Sequence, residues 1–256
     1  MKYALPLLAV LCSSCPPPGA WAGELVVSWA DTVEPDAQLK ATVAELRQRA
    51  AGGRTSNLRK VEALFAPRVK VFTRSLDPFQ PWNPVRDLTG EYLAGTADVM
   101  VEQGELAAGL PVPDYRLEAM KVLAALVPET GATFGTLREA PGAVCAPAVY
   151  KVDRKKALAF ARRFESDAYS LRFHPVDVVL SPAPKGTDGQ VVPAYTLMMF
   201  DYDPEAPEGW GLYETAGGAK GYMRDREDAL GLSQNHVCFG KVDGEYRITA
   251  VFGYGL

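Results

Sequence analysis

Trp210-Gly211-Leu212-Tyr213-Glu214, followed after a glycine-rich turn by Lys220-Gly221-Tyr222-Met223, is the stretch on which the reading of the second half depends. Both runs are short, mix aromatic with apolar residues and are bounded by glycine, the pattern of small antiparallel strands. Working outward, Asp177 to Leu180, Val191 to Phe200, Val237 to Lys241 and Tyr246 to Phe252 repeat it, separated by Gly, Pro and Asp. Asp243-Gly244 is a hairpin-turn dipeptide between the last two runs. From Leu171 onward the spacing therefore predicts a small β-barrel.

The first half reads differently, as mostly helical with one or two strands. Pro35-Asp36 opens a segment with Leu39, Val43 and Leu46 at helical spacing, stopped by Gly52-Gly53. Asn57 is placed to cap a short helix from Leu58 to Ala66, with Pro67 ending it before Val69, Val71 and Phe72 alternate as a strand. Asp77-Pro78-Phe79-Gln80-Pro81-Trp82-Asn83-Pro84 is too dense in proline for regular structure and is expected as an ordered loop whose Phe79 and Trp82 dock on a neighbouring domain or a partner. A helix is expected from Asp114 to Leu126, and another, capped by Asp153, to Asp167. The basic side of the latter, Arg154, Lys155, Lys156, Arg162 and Arg163, reads as a solvated face. The fold class predicted is α+β: a mostly helical N-terminal region over residues 23–140, a linker and helix over 141–170, and a barrel over 171–256.

The chain has 256 residues, 48% hydrophobic and 23% charged, enough to bury genuine cores. With 27 Lys+Arg against 31 Asp+Glu it has no global positive field to attract nucleic acid. Beyond the first two dozen residues no apolar run approaches the ~20 residues of a membrane helix. Met1-Lys2, the apolar stretch Tyr3 to Leu11, and Ala20-Trp21-Ala22 before Gly23 have the form of a secretory signal peptide over residues 1–22, cleaved after Ala22. Lipidation at Cys15 is the competing reading. Export would place the chain in the periplasm or outside the cell and leave two cysteines, Cys145 and Cys238. In an oxidising compartment that pair is most simply a disulfide closing a loop of about ninety residues, for which chain entropy assigns roughly 4 kcal/mol. The other reading, a thiol nucleophile with His174 or His236, is weaker because His236 lies close to Cys238 in the sequence rather than being brought to it from a distance.

The runs Val178-Val179-Leu180-Ser181-Pro182-Ala183-Pro184, Val191-Val192-Pro193-Ala194-Tyr195-Thr196-Leu197, Gly209-Trp210-Gly211-Leu212-Tyr213 and Gly218-Ala219-Lys220-Gly221-Tyr222-Met223 resemble a bacterial SH3-like domain of secreted proteins. The likeness covers residues 171–256; the first-strand motif is degraded to Leu180-Ser181-Pro182-Ala183-Pro184, and Met223 stands where valine is common. The resemblance implies a barrel in which Tyr195, Tyr202, Trp210, Tyr213 and Tyr222 line one groove suited to a peptide or a cell-wall stem. Core packing is the competing role for Trp210 and Tyr222.

Signatures of catalysis are missing: there is no H-E-x-x-H, G-x-S-x-G, P-loop or G-x-G-x-x-G. His174 and His236 read as structural, and no metal site or cofactor is implied. Asp201, Asp203, Glu205 and Glu208 lack the glycine and spacing of a calcium loop and read as a solvated acidic loop. The function expected is non-enzymatic: an exported module binding an envelope protein, a peptide or peptidoglycan, with no nucleic acid and no membrane span. A cell-wall hydrolase accessory or cryptic hydrolase, and a structural envelope protein without a ligand, are the alternatives.

Overall fold

The computed structural model describes residues 23–52, 63–75, 77–88, 121–127, 133–225 and 229–254. The leader reading, the helix start at Asn57 and residues 114–120 of the expected central helix lie outside them. In chain order the strands of the first part are β1 (Ser28–Trp29), β2 (Phe65–Arg74), β3 (Asn83–Leu88), β4 (Val144–Ala146) and β5 (Tyr150–Lys151). The second part supplies β6 (Leu171–Phe173), β7 (Val178–Leu180), β8 (Gln190–Val192), β9 (Met198–Asp201), β10 (Trp210–Thr215), β11 (Lys220–Arg224), β12 (Leu230–Gly231), β13 (His236–Val242) and β14 (Glu245–Tyr254). The helices are α1 (Ala37–Ala51) and α2 (Arg154–Arg162), with residues 121–125 also helical.

Both α1 and α2 start where the sequence caps them. Asp36 Oδ1 accepts from the Leu39 N–H at 2.8 Å and Asp153 Oδ1 from the Lys156 N–H at 3.0 Å, each satisfying a free first-turn donor. Leu39, Val43, Leu46 and Ala50 form the buried stripe of α1, which packs onto Phe239, Ile248 and Val251 of a five-stranded sheet ordered β3-β2-β14-β13-β4. On its other face Phe72 stacks on Phe252 at 4.4 Å beside Trp82. A second five-stranded sheet, β11-β10-β9-β6-β12, is covered on one side by α2 and on the other by the β7–β8 hairpin. Ser181, just after β7, exchanges two backbone hydrogen bonds with Tyr222. Gly221 is required there, because an added Cβ would meet Ser181 O at 2.6 Å.

Two expectations are corrected. Among the described residues before 140 the chain is not mostly helical: Phe65–Arg74 and Asn83–Leu88 are strands, so Phe65 and Ala66 extend rather than coil. Proline is the reason for the difference. Pro67 sits in an irregularity where β2 advances from Phe65 to Lys70 while β14 advances only from Ile248 to Ala250, and Pro84 sits at the sheet edge beside a register shift in β3. Bulges and edges are the places where strands tolerate proline.

The second correction concerns the SH3-like barrel: the described strands form no closed barrel. The last hairpin does turn at Asp243-Gly244, both with positive φ (54° and 84°), as a two-residue turn demands. It joins the other sheet, however, with β14 parallel to β2 (Val71 opposite Val251) and β13 antiparallel to β4. The continuous burial of His236 to Gly240 is the signature of a central strand covered on both faces, not of an alternating barrel strand. Cys238 faces Cys145 across β13 and β4, with the sulfurs bonded.

Candidate functional site

The site begins with a two-stranded ribbon. β1 and β5 pair so that Trp29 lies directly opposite Tyr150, ring centroids 4.5 Å apart and tilted by 41°. Directly opposed aromatics are among the stronger cross-strand pairs. The Tyr150 ring meets the buried Phe173 of β6 edge-on at 4.9 Å, and Phe173 in turn lies 6.1 Å from Tyr195, so the rings form one continuous wall. Tyr195 is held in the left-handed region, φ 64°, by two main-chain bonds: its N–H donates to His174 O at 2.7 Å and its carbonyl accepts from the Val27 N–H at 2.8 Å. A bulky side chain in that conformation costs about 1–3 kcal/mol and persists where its surroundings enforce it, which clusters such residues at ligand sites.

Trp29, Tyr150 and Tyr195 line a cleft of about 610 Å³ together with Leu230 and Gly231 of β12, residues 233–235, Pro147 and Leu126. That volume falls within the usual range for small-ligand sites. Burial, with Tyr195 alongside, pushes the Tyr150 phenol well above its ordinary value, so it stays protonated, and the Gln234 side chain hydrogen-bonds it. Thr133 Oγ1 is buried at the cleft with no hydrogen-bond partner among the described residues. None of the described residues lining the cleft is charged.

Of the five aromatics expected to share a groove, only Tyr195 lines this cleft. Tyr202 and Tyr213 line a second, more open cleft of about 920 Å³, together with Arg163, Arg172 and Asp225. There Tyr213 Oη donates to Asp225 Oδ1 at 3.0 Å, and burial, reinforced by that carboxylate, raises its pKa. Tyr202 is 76% exposed. Trp210 and Tyr222 lie on the opposite face of the sheet from Tyr213, as the pairing of Leu212 with Tyr222 requires. Tyr222 Oη donates to Asp203 Oδ2 at 2.6 Å, which lowers the Asp203 pKa, and Lys220 Nζ lies 2.7 Å from Asp201 Oδ2. Two carboxylates of the acidic loop are thus engaged by their own sheet.

Both histidines are buried. The His236 ring meets Trp82 edge-on at 6.0 Å, its Nδ1 lies 2.8 Å from Pro147 O, and burial holds its pKa down to about 4. The Arg74 guanidinium lies 4.1 Å over the Trp82 ring, so Trp82 packs within the chain on the inner face of the first sheet. Among the described residues no group of three or more His, Cys, Asp or Glu is placed to hold a metal ion, and no helix is long and apolar enough to cross a membrane.

Sequence reasoning did not single out Trp29, Tyr150, Thr133 or Gln234. Trp29 ends the apolar run Leu25-Val26-Val27-Ser28 and Tyr150 follows Pro147, but no local signal announces that the two pair. Comparison with family models, with curated proteins and with solved structures finds no match to this chain.

Proposed function

We propose that this chain is a non-enzymatic binding protein of the bacterial cell envelope whose ligand occupies the cleft walled by Trp29, Tyr150 and Tyr195. The observation that carries this reading is the left-handed Tyr195. A tyrosine is kept in a costly backbone conformation by hydrogen bonds on both sides, and its side chain joins two other rings along an open cleft. The leader-like N-terminus and the paired cysteines support an exported protein. Envelope polymers and envelope proteins are the ligand classes such a location offers.

Co-sedimentation of the purified protein with isolated peptidoglycan sacculi, alongside a Trp29→Ala variant of unchanged melting temperature, tests this. Binding that the folded variant loses is the expected result. Equal binding by both proteins would move the site elsewhere, and no binding by either would remove the cell wall as the partner.

A further inference from the structure

We infer that the Trp29–Tyr150–Tyr195 cleft takes a neutral pyranose ring of a glycan rather than a charged peptide. This rests on the binding reading above and deepens it. An aromatic ring presents an electron-rich face, and a pyranose presents a flat face of polarised C–H groups with hydroxyls at its rim; the two stack face to face. Trp29 and Tyr150 pair on one ribbon and both line the cleft, and Tyr195 lines it beside them.

Polar groups that could meet the hydroxyls of a sugar line the same cleft. Thr133 Oγ1 is buried at the cleft without a partner among the described residues, an arrangement that costs free energy unless a ligand supplies the bond. The Tyr150 hydroxyl, held protonated, and the Gln234 amide add a donor and acceptor each. Charge decides between the ligand classes. A peptide with free carboxylates or ammonium groups calls for counter-charges where it is desolvated, and no described lining residue carries one. The second cleft, with Arg163, Arg172 and Asp225, shows what a charged site in this same chain looks like.

The test titrates the full protein calorimetrically with tri-N-acetylchitotriose, a neutral saccharide, and separately with a soluble acidic stem peptide, at low and high salt. The saccharide is expected to bind with little salt dependence, since no ion pair is screened. Trp29→Ala is expected to weaken it by about tenfold or more, a change of about 1.4 kcal/mol, whereas Trp29→Phe retains most of the affinity. Thr133→Val is expected to weaken the saccharide while leaving the melting temperature unchanged or raised, opposite signs that a purely structural role does not produce. Binding of the stem peptide at Trp29 without binding of the saccharide overturns this inference and leaves the binding reading standing. Sacculi that sediment the Trp29→Ala variant as well as the parent overturn both, whereas no binding by any probe overturns this inference and removes the cell wall as the partner.

Discussion

Cys145 and Cys238, 93 residues apart in the chain, stand directly opposite each other on adjacent antiparallel strands. The bond ties β4, which leads to Tyr150 of the cleft, to the interior strand β13, just before which residues 233–235 line the cleft. A cross-link over a loop of that length acts mainly by limiting the unfolded chain. Denaturant unfolding with and without reductant is expected to differ by about 2–4 kcal/mol, and intact-mass analysis after non-reducing alkylation is expected to find neither cysteine modified. Two alkylated thiols in protein purified from an oxidising compartment would remove the bridge.

His236 makes stability depend on pH. Its pKa is lowered from 6.5 to about 4 by burial, so between those values the unfolded chain binds a proton that the folded chain refuses. The contribution is fully present above about pH 6.5, declines as pH falls, and is gone at about pH 4. Its size is about 3 kcal/mol at most. Urea unfolding across that window should show the decline, and His236→Gln should flatten it; an unchanged slope in the variant would assign the dependence to other groups.

Gly221→Ala probes the join between the β7–β8 hairpin and the second sheet. The new methyl would lie 2.6 Å from Ser181 O and 2.9 Å from the Leu180 carbonyl carbon, both backbone atoms that yield only if the Ser181–Tyr222 bridge opens. A loss of about 1–3 kcal/mol is expected, readable by thermal or chemical unfolding. A neutral outcome would mean that this join is loose.

Tyr195→Gly and Tyr195→Ala, compared, separate backbone strain from the role of the ring. Both lose the ring packed near Phe173, but glycine adopts a φ of 64° without strain, so the glycine variant is expected to be the more stable of the two by about 1 kcal/mol. Ligand affinity in the cleft is expected to fall in both. An alanine variant more stable than the glycine one would mean that the backbone at this position is not strained.

What could be read from the sequence was local. The caps Asp36 and Asp153 and the turn at Asp243-Gly244 each act within a few residues and appear where the pattern places them. The cysteine pair followed from counting the cysteines beyond residue 22 under the expectation of export. Strand partnership did not follow, because nothing near Val71 marks it as the parallel neighbour of Val251 and nothing in the final hairpin marks which sheet it enters. Pro67 and Pro84 counted as breakers because bulges and edges are properties of the assembled sheet. Little of the aromatic site was legible for the same reason: Tyr195 was named only as one of five C-terminal aromatics expected to share a groove, and Trp29 and Tyr150 gain their place only when β1 meets β5.

Glycan binding in the Trp29–Tyr150–Tyr195 cleft is read residue by residue in the NMR response of the isotopically enriched protein to soluble glycan fragments of sacculi. The chain has four tryptophans, so the indole N–H of Trp29 reports on the cleft while those of Trp82 and Trp210 serve as internal controls. Shifts are expected at the Trp29 indole and the Gln234 side-chain amide, with Trp82 and Trp210 unmoved. Shifts centred on Trp210, Tyr202 or Tyr213 instead, with Trp29 silent, would contradict it.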